Sequence, residues 1–239
     1  MGRMPHSMGG NVMIVLTGAS GGIGKEILNY LLEIDNVIGI YNTSPPATPP
    51  NNGLIFEQLN LEESAEIKSF ARKWGSELSK VTLIHCATLK IDGLVTNYTE
   101  SDWDRVMKVN LRGNFLLTQA LLPHMINERW GRIIHFSSLG GIQGSAGTIA
   151  YSTSKAGLIG MSRVLAKEYA RFNITSNLIV LGYFEMGLFN KLSEDLKRDL
   201  QEQIPSKTLG KPSNIAQAIE FLIKSEYVNG SVINIDGGV

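Results

Sequence analysis

Short apolar runs alternate along the chain with longer stretches in which apolar residues recur every three or four positions. The short runs predict buried parallel strands, and the longer spacing predicts amphipathic helices. The predicted strands are Val12 to Leu16, Val37 to Tyr41, Leu54 to Leu59, Val81 to Cys86, Arg132 to Phe136, Ser176 to Val180 and Ser231 to Ile235. The first helical pattern includes Ile27, Leu28, Leu31 and Leu32, and the later ones cover Glu63 to Leu78, Asp102 to Met125, Ala150 to Phe172 and Ser213 to Ile223.

Alternating strands and helices predict an α/β protein with a parallel sheet that is covered on both faces. Ser101 and Ser213 are the predicted caps of two helices, and four prolines disfavour a helix between Thr43 and Gly53. Phe184 to Ser206 mixes apolar residues with charges, which is typical of a lid-like insertion. We therefore expect one domain over residues 11–239, preceded by a flexible arm or tag remnant at residues 1–10.

Composition narrows the functional classes. The chain is 43% hydrophobic and 18% charged, enough for a sizeable core, and Lys+Arg balances Asp+Glu at 22 each, which does not favour a nucleic-acid or membrane surface. No apolar run reaches the roughly 20 residues that span a bilayer. One cysteine, Cys86, excludes an internal disulfide and predicts a cytoplasmic protein. No metal site is predicted, because the histidines (His6, His85, His124 and His135) lack ligand spacing; His135 is expected to be a hydrogen-bonded core residue.

A glycine-rich loop, Thr17-Gly18-Ala19-Ser20-Gly21-Gly22-Ile23-Gly24, stands between the first predicted strand and the first helix. In this context glycines let the backbone turn tightly and approach a pyrophosphate, and the helix N-terminus supplies oriented N–H groups. The loop therefore predicts a dinucleotide site, and with the strand and helix pattern it predicts a Rossmann-type doubly wound fold with a seven-stranded parallel sheet.

Tyr151 and Lys155 are four residues apart in a predicted helix, so their side chains share one face. A nearby ammonium favours the phenolate, which predicts a Tyr151 pKa lowered from about 10 toward neutrality. Such a tyrosine can exchange a proton with a substrate oxygen. This spacing also occurs by chance in many helices, so its meaning depends on the other motifs.

With both motifs placed, the chain resembles the short-chain dehydrogenase/reductase family from Val12 to Gly238, and within it the 3-oxoacyl-[acyl carrier protein] reductases. The resemblance is carried by the glycine loop, by Asn110 in Val-Asn-Leu, by Ser138 in Phe-Ser-Ser, by Tyr151-xxx-Lys155 and by Ile235-Asp-Gly-Gly238. It implies hydride transfer between a nicotinamide and a carbonyl or secondary alcohol. Tyr151 would protonate the oxygen, Ser138 would hydrogen-bond it, Lys155 would bind ribose hydroxyls, and Asn110 would hold a water that links Lys155 to solvent.

The resemblance also implies the cofactor contacts. These are Thr17, Gly18, Ser20, Gly21, Gly22, Ile23, Gly24, Asn42, Thr43, Asn60, Leu61, Cys86, Ala87, Thr88, Tyr151, Lys155, Gly182 and Phe184. The second strand ends without the acid that selects NAD, and Tyr41-Asn42-Thr43 offers donors to a 2′-phosphate, so NADP(H) is favoured. Gly21 stands where many NADP enzymes have a basic residue, so NAD(H) stays possible.

Three departures from the family pattern affect the cofactor end. His85-Cys86-Ala87-Thr88 replaces Asn-Asn-Ala-Gly, Leu181-Gly182 replaces Pro-Gly, and Met186 stands where a threonine contacts the carboxamide. The alternatives are a 3-oxoacyl thioester reductase, an enzyme for another ketone or alcohol (sugar, polyketide or steroid), and a non-catalytic NAD(P) sensor.

Two expectations about partners come from the resemblance. Arg129 and Arg171 would face an acidic acyl carrier protein, although solvated surface charges are an equal alternative. The two long helices that contain Asn110 and Tyr151 would form a homotetramer interface.

Overall fold

The computed structural model describes residues 13–51, 53–75, 77–187 and 189–239; the predicted arm and Val12 lie outside them. Seven parallel strands form one sheet in the order β3-β2-β1-β4-β5-β6-β7. The strands are β1 Met13–Thr17, β2 Asn36–Tyr41, β3 Leu54–Gln58, β4 Val81–His85, β5 Gly131–Ser138, β6 Ile174–Leu181 and β7 Val232–Ile235. The predicted doubly wound parallel sheet is confirmed.

Helices cover both faces of this sheet. They are α1 Gly24–Ile34, α2 Ser64–Trp74, α3 Glu100–Met107, α4 Gly113–Glu128, α5 Leu139–Ile142, α6 Ile149–Tyr169, α7 Glu194–Gln203 and α8 Pro212–Lys224. A π turn, Lys108–Arg112, joins α3 to α4, and 3₁₀ turns lie at Val95–Asn97, Ala170–Phe172 and Phe189–Lys191. None of the helices within the described ranges is long and apolar enough to cross a bilayer.

Side-chain alternation along β1 divides the core between the two faces. Leu16 packs in the cluster that contains Ile27 of α1 and Ile219 of α8. Val15 points the other way, into the cluster that contains Leu121 of α4. Both clusters are buried, because each strand of a parallel sheet is covered on two sides.

The long helix predicted from Asp102 to Met125 is three segments, not one. The first segment, α3, begins earlier than predicted, because Thr99 is its cap. The backbone of Thr99 is extended, so the Thr99 side chain can accept a hydrogen bond from the N–H of Asp102. The predicted cap Ser101 lies inside α3. The π turn then interrupts the α-helical hydrogen bonds around Asn110.

Two other helix ends differ from their predicted positions. α8 begins at Pro212, and Asn214 accepts from the N–H of Lys211, so Ser213 lies inside the first turn and is not the cap. α2 ends at Trp74, and the N–H of Gly75 donates to Ala71 O at 2.9 Å. Leu78, the predicted end of this helix, is buried but lies in the segment that follows.

The predicted lid segment, residues 184–206, is attached at both ends to the rim of the sheet. Phe184 pairs with Gly210, and the N–H of Gly210 donates to Tyr183 O at 2.9 Å. At the other end, the N–H of Ser206 donates to Gly237 O at 3.1 Å. Between these points lie a 3₁₀ turn and α7, which Ser193 caps. The described part of residues 43–53 contains no helix.

Candidate active site

A cavity of about 1020 Å³ opens at the carboxyl ends of the strands. β1 lies between β2 and β4, so the strand order reverses at β1, and crevices at such a point are the usual ligand sites of doubly wound sheets. The predicted cofactor contacts that line it are Gly18, Ser20, Gly21, Gly22, Ile23, Gly24, Asn42, Thr43, Asn60, Leu61, Cys86, Ala87, Thr88, Tyr151, Lys155, Gly182 and Phe184. Ser138 lines it as well.

The glycine loop fits a dinucleotide phosphate because of its close backbone packing. Gly18 has a φ of +71°, and a Cβ there would lie 2.7 Å from Ala87 Cα. At Gly24 a Cβ would lie 2.2 Å from Gly18 O. α1 starts at Gly24 with no side-chain cap among the described residues, and the N–H groups of Lys25 and Glu26 donate to Gly21 O and Ile23 O, both at 3.1 Å. The positive end of the helix dipole at this N-terminus favours an anion in the cavity.

Thr17 does not line the cavity, which corrects its predicted role as a cofactor contact. Its side chain is fully buried, and Oγ1 accepts from the N–H groups of Cys86 and Ala87, both at 3.0 Å. Thr17 therefore joins the end of β1 to the end of β4 and positions the two loops that do line the cavity.

The end of the cavity near β2 contains the residues that would meet the adenosine half of a dinucleotide. Gln58 donates to Asn42 O at 2.8 Å, which fixes the backbone after β2. Asn60 Oδ1 accepts from the N–H of Glu62 at 3.0 Å. Of the residues from Tyr41 to Ser44, none carries a carboxylate.

The proposed catalytic side chains meet at the opposite end. Ser138 ends β5 and caps α5, accepting from the N–H of Gly140 at 3.3 Å. Tyr151 lies in the first turn of α6, and Lys155 lies one turn later. Lys155 is 3% exposed; its Nζ donates to Phe136 O at 2.9 Å and lies 5.8 Å from the centroid of the Tyr151 ring.

The structure corrects the predicted direction of the Tyr151 pKa. Burial raises this pKa above its usual value, and the hydrogen bond with Ser138 only partly opposes that effect. Burial also lowers the pKa of Lys155 to about 8. The effect of burial on the Tyr151 pKa is the largest one, and the charge of Asp92 also raises this pKa. Tyr151 consequently keeps its proton at neutral pH, as a proton donor requires.

Asn110 lies behind the cavity wall and not on it, in the π turn. Its Oδ1 accepts from the N–H of Leu89 at 2.7 Å, and its Nδ2 donates to Leu89 O at 2.8 Å and to Ser154 Oγ at 3.0 Å. Ser154 in turn donates to Tyr151 O at 2.7 Å. The carboxamide thus fixes the α6 segment that contains the Tyr/Lys pair, and a water held by Asn110 would have to bind its backbone carbonyl.

The departures from the family pattern lie close to the same centre. Cys86 is buried on the cavity wall, and burial raises the pKa of its thiol to about 12, so it stays protonated and unreactive. Met186 is buried, and Gly187 packs so closely on the glycine loop that a Cβ at Gly22 would lie 2.2 Å from Gly187 Cα. The segment after β6 therefore contacts the cofactor loop through backbone.

Other wall residues were not identified from the sequence. They include Leu89, Lys90, Arg105, Leu139, Gln143, Ser145, Thr148 and Tyr183, whereas Phe189 and Leu192 belong to the predicted lid. Most lie in loops that have no periodic pattern, and they become neighbours only through tertiary contacts such as the pairing of Gly93 with Thr148. Their residue types therefore gave no signal of a shared site.

Arg129 and Arg171 lie together at the amino ends of the strands. Arg129 donates to Arg171 O at 3.3 Å and sits just before β5. Ser138 ends the same eight-residue strand, and a strand of that length spans about 25 Å. The two arginines therefore lie at the amino ends of the strands, whereas Tyr151 of the same chain lies at the carboxyl ends.

The fold and the site define a doubly wound enzyme that binds a nicotinamide dinucleotide. The sequence profile described as short chain dehydrogenase matches residues 12–197. The chain is 40% identical over 242 residues to 3-oxoacyl-[acyl-carrier-protein] reductase FabG of Thermotoga maritima, covering 94% of this chain and 96% of the relative. It is 34% identical over 248 residues to the FabG reductase of Aquifex aeolicus, covering 99% and 100%. It is also 34% identical over 233 residues to nodulation protein G of Rhizobium sp. (strain N33), covering 94% and 95%.

The chain belongs to the short-chain dehydrogenase/reductase family. It is an NAD(P)-dependent oxidoreductase that acts on CH–OH and C=O groups.

Proposed function

We propose that the protein is an NADP(H)-dependent reductase that converts a 3-oxoacyl thioester to the 3-hydroxyacyl thioester. The observation that carries this proposal is the protonated Tyr151 beside Ser138 on the cavity wall, which suits reduction of a carbonyl. Similarity to 3-oxoacyl reductases over more than nine-tenths of both chains supports the substrate class. Leu139, Tyr183 and Phe189 add apolar wall for an acyl chain.

The chemistry divides between the cofactor and the side chains. A bound nicotinamide supplies the hydride that reaches the carbonyl carbon. Tyr151 donates its phenolic proton to the carbonyl oxygen, which completes the alcohol, and the Ser138 hydroxyl donates a hydrogen bond to the same oxygen as its charge grows. Lys155 places a buried cation beside this centre, and its remaining N–H donors can bind ribose hydroxyls.

A substrate panel tests the proposal. We expect NADPH oxidation to be fastest with a 3-oxoacyl thioester, compared with a sugar, a steroid ketone and a polyketide-like diketone at equal concentration. Faster turnover of one of these ketones would replace the proposed substrate. Cofactor binding without turnover of any of them would favour the sensor alternative.

Cofactor choice is tested at Asn42, which follows β2 on the cavity wall. Asn42→Asp introduces a carboxylate that repels a 2′-phosphate and can accept from ribose hydroxyls. We expect the ratio of kcat/KM for NADPH to that for NADH to fall at least about tenfold, equivalent to about 1.4 kcal/mol. Asn42→Ala is the matched control without the charge. An unaltered protein that prefers NADH would contradict the proposal.

We also propose a homotetramer built on α4 and α6. Phe115 of α4 is 47% exposed and Val164 of α6 is 53% exposed, so each helix presents a large apolar side chain that the described residues leave about half exposed. A two-fold contact between copies would bury both. Sedimentation should give four times the chain mass, and Val164→Glu should lower it. A fully active monomer in the unaltered protein would exclude the tetramer.

Residues 11–239 are proposed to form one domain. Residues 184–206 are proposed to act as its lid, because Phe184, Phe189 and Leu192 from that segment line the cavity. An acyl carrier contact at Arg129 and Arg171 is the second proposal about partners. Both arginines lie at the amino ends of the strands, away from Tyr151 of their own chain. A carrier bound there would therefore have to deliver its substrate to the active site of a neighbouring subunit. Arg129→Glu should then raise KM for a carrier-bound substrate and leave KM for a short thioester unchanged.

A further inference from the structure

Two histidines form an unusual pair in the core beneath the catalytic helix. His85 of β4 and His135 of β5 are register partners, and their rings stack in parallel with centroids 4.9 Å apart. Their side chains point to the face that also contains Leu83 and Ile133, which α4 covers. Both residues are essentially buried, at 1% and 0% exposure.

Polar groups of α4 lie along the same face. Asn110 immediately precedes the helix, and Asn114 and Thr118 follow at intervals of four residues, so they form one row. Thr118 Oγ1 lies 2.8 Å from His85 Nε2, and Asn110 bonds Ser154 at the other end of the row. Asn114 therefore lies between the histidine pair and the segment that contains Lys155. We call His85, His135, Asn114 and Thr118 the buried polar cluster.

Several atoms of this cluster are not hydrogen-bonded. His85 Nδ1, both ring nitrogens of His135 and Asn114 Oδ1 are buried and have no partner among the described residues. The sequence predicted a hydrogen-bonded core residue at His135, but no described protein group bonds its ring. A buried polar atom destabilises the fold when it stays unpaired, and buried water commonly satisfies groups of this kind with about three hydrogen bonds.

The cluster adjoins Lys155 through β5. His135 directly precedes Phe136, whose carbonyl accepts the Lys155 ammonium, and Ser137 Oγ donates to Lys155 O at 3.1 Å. The ammonium is buried and has a charge interaction with both imidazoles. A polar group or water near a buried ammonium stabilises its charged form.

We propose that water bound among His85, His135 and Asn114 joins them in a neutral, hydrogen-bonding support for the Lys155 ammonium, which makes the two histidines positioning residues of the active site. The support must be neutral, because a second cation next to Lys155 would oppose it. Burial meets this requirement by lowering the pKa of His135 to about 3 and that of His85 well below its usual value.

The charged and titratable groups around Lys155 are few within the described part of the chain. His85 and Cys86 face it from β4 and its end, His135 faces it from β5, and Tyr151 lies on its own helix. The π turn contributes the uncharged Asn110, and α4 contributes the uncharged Asn114 and Thr118. Cys86 stays protonated, because burial raises its pKa to about 12, so the support rather than an anion keeps Lys155 charged.

The first test uses His135→Phe, which keeps a flat ring and removes both nitrogens. Loss of the support should lower the Lys155 pKa further, so the alkaline limb of the kcat profile for reduction should move by about 0.5–1 pH unit to lower pH. His135→Asn, which restores hydrogen-bonding atoms, should return most of that shift. Asn114→Leu should move the limb in the same direction, and it serves if His135→Phe does not fold.

Thr82→Val is the matched control. Thr82 Oγ1 is also buried and unpartnered, but it lies on the opposite face of β4. Loss of the Thr82 hydroxyl should leave the alkaline limb of the kcat profile at the same pH. The proposal is overturned if His135→Phe and Asn114→Leu leave the limb in place, or if Thr82→Val shifts it equally.

A second readout requires no substrate, although the kinetic test rests on the proposed function. NMR titration of the lysine ε-carbons in the unliganded protein should give a lower Lys155 pKa in His135→Phe than in the unaltered chain, with His135→Asn between them. Cross-peaks from water to the imidazole protons should be present in the unaltered protein. An unchanged Lys155 pKa would refute the support even if no substrate has been found, whereas a shifted pKa without turnover would count only against the proposed reaction.

Discussion

Replacement of Tyr151 by phenylalanine is expected to lower kcat by about 10²–10⁴-fold, the usual contribution of a positioned general acid. The ring and its packing in the first turn of α6 are retained, so the fold and cofactor affinity should change little. Single-turnover reduction, with cofactor binding measured by fluorescence, separates the two effects.

Ser152→Ala is a suitable control for this experiment. Ser152 is the next residue on α6, and its Oγ bonds Thr148 rather than Ser138 or Lys155. Its replacement should leave kcat within a few-fold of the unaltered value. Near-normal turnover in Tyr151→Phe would show that another group donates the proton, and equal loss in both variants would indicate a disturbed helix.

The second large effect is a loss of stability in mild acid. Unfolded His135 takes up a proton near pH 6.5, whereas the folded residue does so only near pH 3. The unfolded state therefore binds more protons between these values, and the free energy of unfolding falls as pH falls through this window, by about 1.4 kcal/mol per pH unit for one such group. His85, whose pKa is lowered in the same sense, adds to the slope.

As the pH falls from 6.5 to 5, we therefore expect His135 alone to lower the free energy of unfolding by about 2 kcal/mol. Lys155 contributes no slope in this range, because its folded pKa of about 8 and its usual value of 10.5 both lie above it. Urea unfolding at several pH values measures the effect. His135→Phe should flatten the slope, and Thr82→Val, a buried substitution that removes no titrating group, should not; an unchanged slope in His135→Phe would contradict the assignment.

Much of the fold was predictable from local pattern. Buried parallel strands are short apolar runs, and every predicted strand is present with shifted ends. Helix ends were less predictable, because a cap depends on the backbone angles of one residue: Thr99 is extended and accepts a hydrogen bond, whereas Ser101 is already helical. The π turn at Asn110 likewise has no sequence pattern that separates it from α-helix.

The sequence by itself determined the chemistry-bearing residues with local spacing. Tyr151 and Lys155 share a helical face, and the glycines follow a strand, so their placement depends only on helix and strand periods. Ser138 was assigned through its resemblance to the family motif, and in the structure it ends β5. These relations hold within one element or one loop, which is why they did not require a three-dimensional structure.

Only the tertiary structure decided what surrounds those residues. In the folded chain Thr17 bonds the end of β4 and does not line the cavity, and the Asn110 carboxamide bonds Ser154 of α6. Burial raises the Tyr151 pKa, whereas proximity to Lys155 had predicted a lowered pKa. The tertiary structure also stacked His85 on His135, fifty residues apart in the chain. Burial and long-range hydrogen bonds depend on all elements together, so they set pKa values and partners that no local pattern contains.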